Sequence, residues 1–263
     1  MRLAERAFQA GYRLHSHDTI GSTNAEALSC ACAGDPGRLW VTARVQTAGR
    51  GRRGRGWSSP LGNLHASLLL VEAAPPALSP QLAFVGAVAL FDAVVAVLPV
   101  DRRLCIKWPN DLLVDGAKVA GILVEGTRLP NGRAALVIGF GVNCGSHPDG
   151  LPYRTIDLGV AAGRPVEPQA LLAGLSETML DALASWQGGP GFDDVRRRWL
   201  ARATPLGTAL TVSGRDARMA GIFAGIDPEG RLLLRTETGE QTIDVGDVAL
   251  EGERRPHAAD PVS

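Results

Sequence analysis

An excess of charge of either sign is missing from this chain. Its 263 residues carry 27 Lys plus Arg against 27 Asp plus Glu, for a formal net charge of +0. A domain that lives on nucleic acid is ordinarily basic overall, so the balance argues against that class. Cysteine is scarce, with four in all. Cys30 and Cys32 stand two apart in an alanine-rich stretch, and Cys105 and Cys144 are isolated. C-x-C with no histidine cluster beside it makes a poor zinc knuckle, so buried, inert thiols are expected. A secretory leader is also missing, because the start, MRLAERAFQAGYRL, has charges but no apolar core of signal-peptide length. Few cysteines and no leader point to the cytosol. No internal repeat stands out.

A clean membrane span is lacking too. QLAFVGAVALFDAVVAVLPV is almost wholly apolar over 82–100 and is close to bilayer-spanning length, but Asp92 sits in its middle and Pro99 cuts it short. A charge at the bilayer centre is costly. Ser79 then Pro80 is a helix-start signal, so the stretch reads as a helix buried on most faces and packed against a sheet.

What is present is globular: 45% hydrophobic and 21% charged residues, in a chain long enough for one large domain plus a small one. Thr23 and Glu26 read as a capping box, with a helix over 24–33. Strands are expected at LWVTARV, LHASLLLV, LCIKW, DLLV, KVAGILVE and AALVIGFGVN. Asp115-Gly116 forms a tight hairpin turn between DLLV and KVAGILVE. Helical periodicity covers 169–186 and a second helix 193–203. From Pro205 the composition changes to short strand-like runs, LTVSG, RMAGIFAGID, RLLLRTE and QTIDVGDV, split by turns, which predicts a small barrel. At roughly 45 residues this unit is near the lower limit for independent folding and should pack on the larger one. The division is therefore 1–203, 204–250 and a flexible tail 251–263, and the fold class is α+β, a mixed sheet packed with helices plus a small C-terminal barrel.

The chemistry concentrates in a few motifs. AGRGRRGRGW alternates glycine with arginine and ends on tryptophan. Gly49, Gly51, Gly54 and Gly56 let the backbone approach a ligand, and exposed N–H groups with Arg50, Arg52, Arg53 and Arg55 can cradle an oxyanion. A nucleic-acid contact or a solvated basic loop fits the same string. Four like charges on glycine-rich backbone gain little from folding alone, so the loop is expected to be poorly ordered without a bound anion. Trp57 can stack on a purine or fill a core. In KWPNDLL, Pro109 makes a turn, and Asn110 and Asp111 can reach adenine, ribose or a metal-bound water, or simply end a strand in an Asx turn. The hairpin should hold Lys118 of KVAGIL near Asn110 and Asp111. In GFGVN, Gly139 and Gly141 leave one strand face bare for a flat ligand or a close helix contact.

In combination, STN, QTAGRGRRGRGW, KWPNDLL, KVAGIL, GFGVN and the small C-terminal barrel resemble the biotin protein ligases, over roughly 22–248 of the chain. The motifs begin about two dozen residues from the start, too few for the N-terminal DNA-binding domain some members carry, so the resemblance is to the monofunctional type. It implies an SH3-like C-terminal barrel. It also implies a two-step reaction in which biotin and ATP give biotinyl-5′-AMP, and biotin then passes to a lysine of a biotin carboxyl carrier domain. Mg2+ would accompany ATP, with pyrophosphate oxygens supplying most of its ligands; no protein metal ligand is assigned. By position, Ser22, Thr23, Asn24 and Gln46 match the residues that hold the biotin ring, and Gly121, Gly139 and Gly141 belong to the same site. Gly49, Arg50, Gly51 and Arg52 match the loop over the biotin carboxylate and α-phosphate. Lys118 matches the lysine that touches both groups and, with Arg52, is the expected catalytic residue. Arg53, Trp57, Asn110, Asp111 and Asn143 complete the nucleotide side with Arg52 and Lys118. The expected partners are biotin, ATP and the carrier domain, with no nucleic acid or membrane, for a monomer or homodimer. A lipoate–protein ligase shares this chemistry, and a nucleic-acid-binding module is the reading from another class.

Overall fold

Side chains alternate across a β-strand, and in this chain the alternation sorts apolar residues onto two unequal faces of one sheet. The computed structural model describes residues 1–214 and 218–250. The elements run α1 (Glu5–Gln9), β1 (Arg13–Ile20), α2 (Thr23–Cys32), β2 (Leu39–Gln46), β3 (Leu64–Val71), α3 (Gln81–Val95), β4 (Leu104–Lys107), β5 (Asp111–Val114), β6 (Ala117–Arg128) and β7 (Ala134–Val142). After these come α4 (Leu158–Ala162), α5 (Pro168–Trp186), α6 (Phe192–Leu200), β8 (Ala209–Ser213), β9 (Arg218–Ile226), β10 (Leu232–Thr236), β11 (Gly239–Ile243) and β12 (Asp247–Leu250).

The first seven strands form one sheet in the order β1-β2-β3-β7-β6-β5-β4. Only β1 and β2 run parallel, which makes the sheet mixed. On β7, Leu136, Ile138, Phe140 and Val142 enter the large core shared with α3, α5 and α6. Ala135 and Val137 face the other way, into a small cluster under α2 with Ala27, Ala31, Leu39, Val41 and Leu69. The large core carries most of the apolar burial, at roughly 25 cal/mol per Å² removed from water. The α2 side is thin, and the cleft opens there.

Asp92 explains why α3 belongs in a protein core. Its two carboxylate oxygens accept from Arg198 Nη2 and Arg202 Nε, each at 3.0 Å, so Arg198 of α6 and Arg202 just beyond it neutralise the charge inside the apolar helix. Among the described residues no helix is long and apolar enough to cross a membrane. The helix ends at Val95 rather than near Val100, where Val97 N–H turns back to Val94 O ahead of Pro99.

Four further expectations shift. Ser22, not Thr23, caps α2, its side chain accepting from Ala25 N–H, because the Thr23 hydroxyl and N–H are both committed to Gln46. α6 stops at Leu200, short of 203. QTIDVGDV is two strands: β11 pairs with β10, then the chain crosses to set β12 against β8. The last five strands form an antiparallel sheet in the order β11-β10-β9-β8-β12, whose two end strands do not pair among the described residues, so the barrel is open. The flexible tail expected at 251–263 lies outside the described residues.

The two sheets are tied together. Trp108 Nε1 donates to Gly230 O at 3.1 Å, and Arg196 donates to the carbonyls of Ile226 and Asp227. Gly230 (φ +86°) packs so closely on Phe84 that a Cβ would stand 2.8 Å from its ring.

Candidate active site

On β7 the positions facing α2 read Ala135, Val137, Gly139, Gly141, so the side chains that fill this face vanish halfway along the strand. Gly121 of β6 pairs with Gly141 and extends the bare area sideways. Over this floor lies a cleft of about 930 Å³, a size that suits a small ligand. The floor is not open to a flat ligand along its whole length. The Asn24 amide lies on Gly139, and the Trp57 indole lies on Gly141 and Gly121; a Cβ at Gly139 or Gly141 would collide with them, and one at Gly121 would stand 3.2 Å from the indole. The expected bare face is thus covered by the protein's own amide and ring, which form the inner wall of the cleft. The buried indole N–H of Trp57 has no partner among the described residues.

One end of the cleft is a buried polar cradle. Gln46 Oε1 accepts from Thr23 N–H at 2.8 Å, and Gln46 Nε2 donates to Ser59 Oγ at 2.9 Å. Ser67 Oγ lies 2.7 Å from Thr23 Oγ1 and 2.6 Å from Asn24 Oδ1, and Asn24 Nδ2 donates to Glu125 Oε2 at 2.8 Å. These mutual bonds fix Thr23, Asn24 and Gln46 in place, with Ser22 beside them in the wall. Sequence reasoning missed Ser67 and Glu125. Their signal was the period of two: Glu125 follows Gly121 and Leu123 on one face of β6, and Ser67 pairs with Gly139 across β3 and β7.

The other end is charged. The hairpin turn at Asp115 and Gly116, both at positive φ, folds β6 back on β5. It sets Lys118 Nζ 2.7 Å from Asp111 Oδ1, and Lys107 Nζ lies 3.8 Å from Asp111 Oδ2. Burial pushes the Asp111 carboxyl up, but Lys118, Lys107 and Arg52 outweigh it and hold the group below the usual carboxylate range. Arg52 is itself lowered by burial, against the opposing pull of Asp247 and Asp111; a guanidinium stays cationic regardless. Lys118 Nζ also stands 5.4 Å from the Trp57 ring and 5.6 Å from that of Tyr153, which sequence reasoning did not single out. Tyr153 belongs to a loop fixed by Lys118 N–H donating to Arg154 O.

The Gly-Arg loop is a folded turn. Arg50 bridges to Gly56, Gly51 N–H donates to Arg55 O at 2.7 Å, and Trp57 N–H to Gly49 O at 2.9 Å. A Cβ at Gly49 would stand 2.5 Å from Ser59 Oγ, so only glycine fits where the loop starts. Asp247 of β12 supplies the counter-charge that the sequence reading left to a ligand: Arg55, Arg53 and Arg52 approach its carboxylate at 2.8, 3.1 and 3.9 Å. Arg52 also donates to Asn110 Oδ1 and Gly246 O, and Arg50 reaches Glu125 at 3.4 Å. Arg50, Gly51, Arg52, Trp57, Asn110, Asp111, Lys118, Gly121, Gly139 and Gly141 therefore share one cleft. Gly49 and Arg53 belong to the loop but do not line the cleft. Asn143 is not brought there either; it is buried, with Nδ2 donating to Ile156 O. Among the described residues no group of three or more His, Cys, Asp or Glu is placed to hold a metal.

Comparison with known proteins matches these parts. The biotin/lipoate A/B protein ligase family model covers residues 19–143, and the biotin protein ligase C-terminal domain model covers 208–250. A biotin–[acetyl-CoA-carboxylase] ligase of Paracoccus denitrificans is 42% identical over 239 residues, spanning 88% of this chain and 98% of that protein. The chain belongs to the biotin protein ligase family. The bifunctional ligase/repressor BirA of Bacillus subtilis (strain 168) is 32% identical over 91% of this chain and 74% of its own length. The biotin protein ligase of Aquifex aeolicus, solved with biotin and ATP, has the same fold, with a TM-score of 0.77 at 24% identity over 90% of this chain and 98% of that one.

Proposed function

We propose that this biotin protein ligase activates biotin with ATP to biotinyl-5′-AMP and transfers the biotinyl group to a lysine of a biotin carboxyl carrier domain. The observation that carries the reading is one cleft with a hydrogen-bonded polar cradle at one end, where Arg50 offsets Glu125, and Lys118 and Arg52 at the other. A molecule with a polar uncharged head and a carboxylate tail fits that polarity. Ser22, Thr23, Asn24 and Gln46 take the ring, and Gly121, Gly139 and Gly141 make room for the Asn24 amide and Trp57 indole that wall it. A biotin carboxylate oxygen attacks the α-phosphorus of MgATP, and the bond to pyrophosphate breaks. Two anions must meet, so fixed positive charge at Lys118 and Arg52, with Arg50 on the loop that Gly49 and Gly51 shape, lowers the barrier. The carrier lysine, as a neutral amine, then attacks the acyl carbon; AMP leaves and the amine loses a proton. On the nucleotide side, Trp57 offers a ring for adenine, Asn110 and Asp111 line the same end, Arg53 holds the loop, and Asn143 anchors the neighbouring backbone.

The acidic groups of the cleft are individually engaged: Asp111 by lysines, Asp247 by arginines, Glu125 by Asn24 and Arg50. Mg2+ thus enters as part of MgATP, held mainly by phosphate oxygens. Residues 1–203 carry this chemistry, and 204–250 form a separate small domain whose Asp247 closes the loop. The pairing of the loop arginines with Glu125 and Asp247 supports an anion site over a nucleic-acid surface. We place the enzyme in the cytosol, where its free thiols stay reduced. The test is a mass shift on a carrier domain that requires both biotin and ATP. Lipoate in place of biotin should give no pyrophosphate exchange, and exchange with lipoate alone would move the chain to the lipoate branch.

A further inference from the structure

The residue that brings an ammonium into the cleft also anchors the loop beside it. Lys118 N–H donates to Arg154 O at 2.8 Å, and Ile156 N–H donates to Lys118 O at 3.0 Å, so both main-chain polar groups of Lys118 are bonded to the segment 154–156. Thr155 bridges to Lys118 in parallel, and its Oγ1 donates to Pro148 O at 2.6 Å, which closes the loop behind it. Tyr153 stands one residue before this docked segment, so its ring has a fixed place relative to the Lys118 side chain. The ring lines the cleft, with Lys118 Nζ over it at 5.6 Å from the centroid. The Trp57 ring faces the same ammonium at 5.4 Å. Gly121 leaves room beside it, since a Cβ there would stand 3.5 Å from Nζ.

Two aromatic faces and one carboxylate thus meet a single cation, and they act on it differently. Asp111 Oδ1, at 2.7 Å, takes one of its three N–H donors and offsets its charge. A ring within about 6 Å attracts the same cation through its quadrupole but brings no negative charge of its own. It restrains the flexible four-carbon stem without a second anion in the site. On the proposed reading Lys118 presents its charge to two incoming anions, and restraint without neutralisation suits that task. We propose that Tyr153 is a positioning residue that holds the Lys118 ammonium in the cleft through the face of its ring. It acts through Lys118 and need not touch the reacting atoms. The contribution belongs to the ring and not to the hydroxyl.

The catalytic consequence rests on the adenylation reading, so the experiment has one arm that needs no activity. Full-length chain is labelled with acetic anhydride, and the rate at Lys118 is followed by mass spectrometry. Tyr153→Leu should raise that rate about three- to tenfold, because the ring no longer favours the cation, while Tyr153→Phe should match wild type. The second arm is biotin-dependent ATP–pyrophosphate exchange, and absence of exchange in wild type would reject the function while the labelling arm still decides the contact. Given exchange, Tyr153→Leu should lower kcat about three- to tenfold with less than about a twofold change in the KM for ATP or biotin, and Tyr153→Phe should restore most of the rate. In a Lys118→Met background, read by single-turnover adenylate formation, adding Tyr153→Leu should cost less than about twofold. Should Tyr153→Leu not fold, as judged by thermal unfolding, Tyr153→Met replaces it in every arm. Unchanged labelling of Lys118 overturns the proposal, as does a wild-type kcat. A loss confined to the KM for ATP would make the ring a nucleotide contact instead. Failure of Tyr153→Phe to restore the rate would assign the effect to the hydroxyl, and an equal loss in the Lys118→Met background would mean that Tyr153 acts independently of Lys118; either result also overturns it.

Discussion

Asp247 Oδ1 accepts a hydrogen bond from Arg55 Nη2 at 2.8 Å across 192 residues of sequence, joining the C-terminal sheet to the Gly-Arg loop. Arg53 reaches the other oxygen of the same carboxylate at 3.1 Å. Both pairs are partly exposed, and such pairs contribute only ~0.2–1 kcal/mol each. Asp247→Asn should therefore leave the melting temperature within about 4 °C of wild type, while the loop loses its anchor. Trypsin cleavage within 50–55 should become several-fold faster than in wild type. Biotin with ATP should slow it again in both proteins, since bound oxyanions supply the charge that Asp247 provides. Equal cleavage of variant and wild type without ligand would show that the carboxylate does not hold the loop.

Lys118→Ala removes the cation nearest Asp111 and, on the proposed mechanism, a donor to both reacting anions. Loss of one such donor typically costs ~10²-fold or more. The fold should survive, because Lys107 and Arg52 remain beside Asp111. Single-turnover formation of the adenylate is the measurement, with circular dichroism as the control. A folded variant with near wild-type pyrophosphate exchange would remove Lys118 from the centre of the mechanism.

Gly139→Ala tests the floor of the cleft. The added methyl would run into the Asn24 amide, which Glu125 and Ser67 hold. Displacing that amide gives up two hydrogen bonds at ~1 kcal/mol each, so biotin affinity should fall tenfold or more. ATP affinity should change little, since the charged end lies elsewhere in the cleft. Calorimetric titration of each substrate separates the two, and an unchanged biotin affinity would mean that Asn24 is not part of the ring site.

Local patterns made the sheet legible where they were strong. LHASLLLV and AALVIGFGVN fell within a residue of β3 and β7, and the Asp-Gly turn fixed β5 against β6. β1 was missed because RLHSHDTI is an edge strand with mostly polar, half-exposed side chains and so shows no apolar alternation. α1 and α4, at five residues each, are too short for a helical period to register. In the site, the motifs named the residues that point at one another along short loops. The partners that hold them come from distant strands: Glu125 under Asn24, Ser67 under Thr23, Asp247 under the arginines. Those pairings depend on register between strands, which no single stretch of sequence contains. The loop's arginines looked uncompensated for the same reason, their anion being 192 to 195 residues away.

On the proposed mechanism, Arg52 separates making the intermediate from keeping it. Its guanidinium is partly buried between Asn110 Oδ1 at 3.3 Å and Gly246 O at 3.1 Å, so it bridges the KWPND turn and the C-terminal sheet over the cleft. An acyl-adenylate is reactive and must be held until the carrier arrives. Lys118 can still support the first step without Arg52, but the cover loses its bridge and its contact with phosphate. A charged hydrogen bond of this kind is worth ~1.5–3 kcal/mol, and each ~1.4 kcal/mol is tenfold in dissociation. In Arg52→Gly the adenylate should escape roughly ten- to a hundredfold faster and acylate exposed lysines on unrelated proteins. Incubating the variant with biotin, ATP and a lysine-rich bystander, then probing with streptavidin, reads this directly. If the variant still makes adenylate but labels the bystander no more than wild type does, Arg52 does not retain the intermediate.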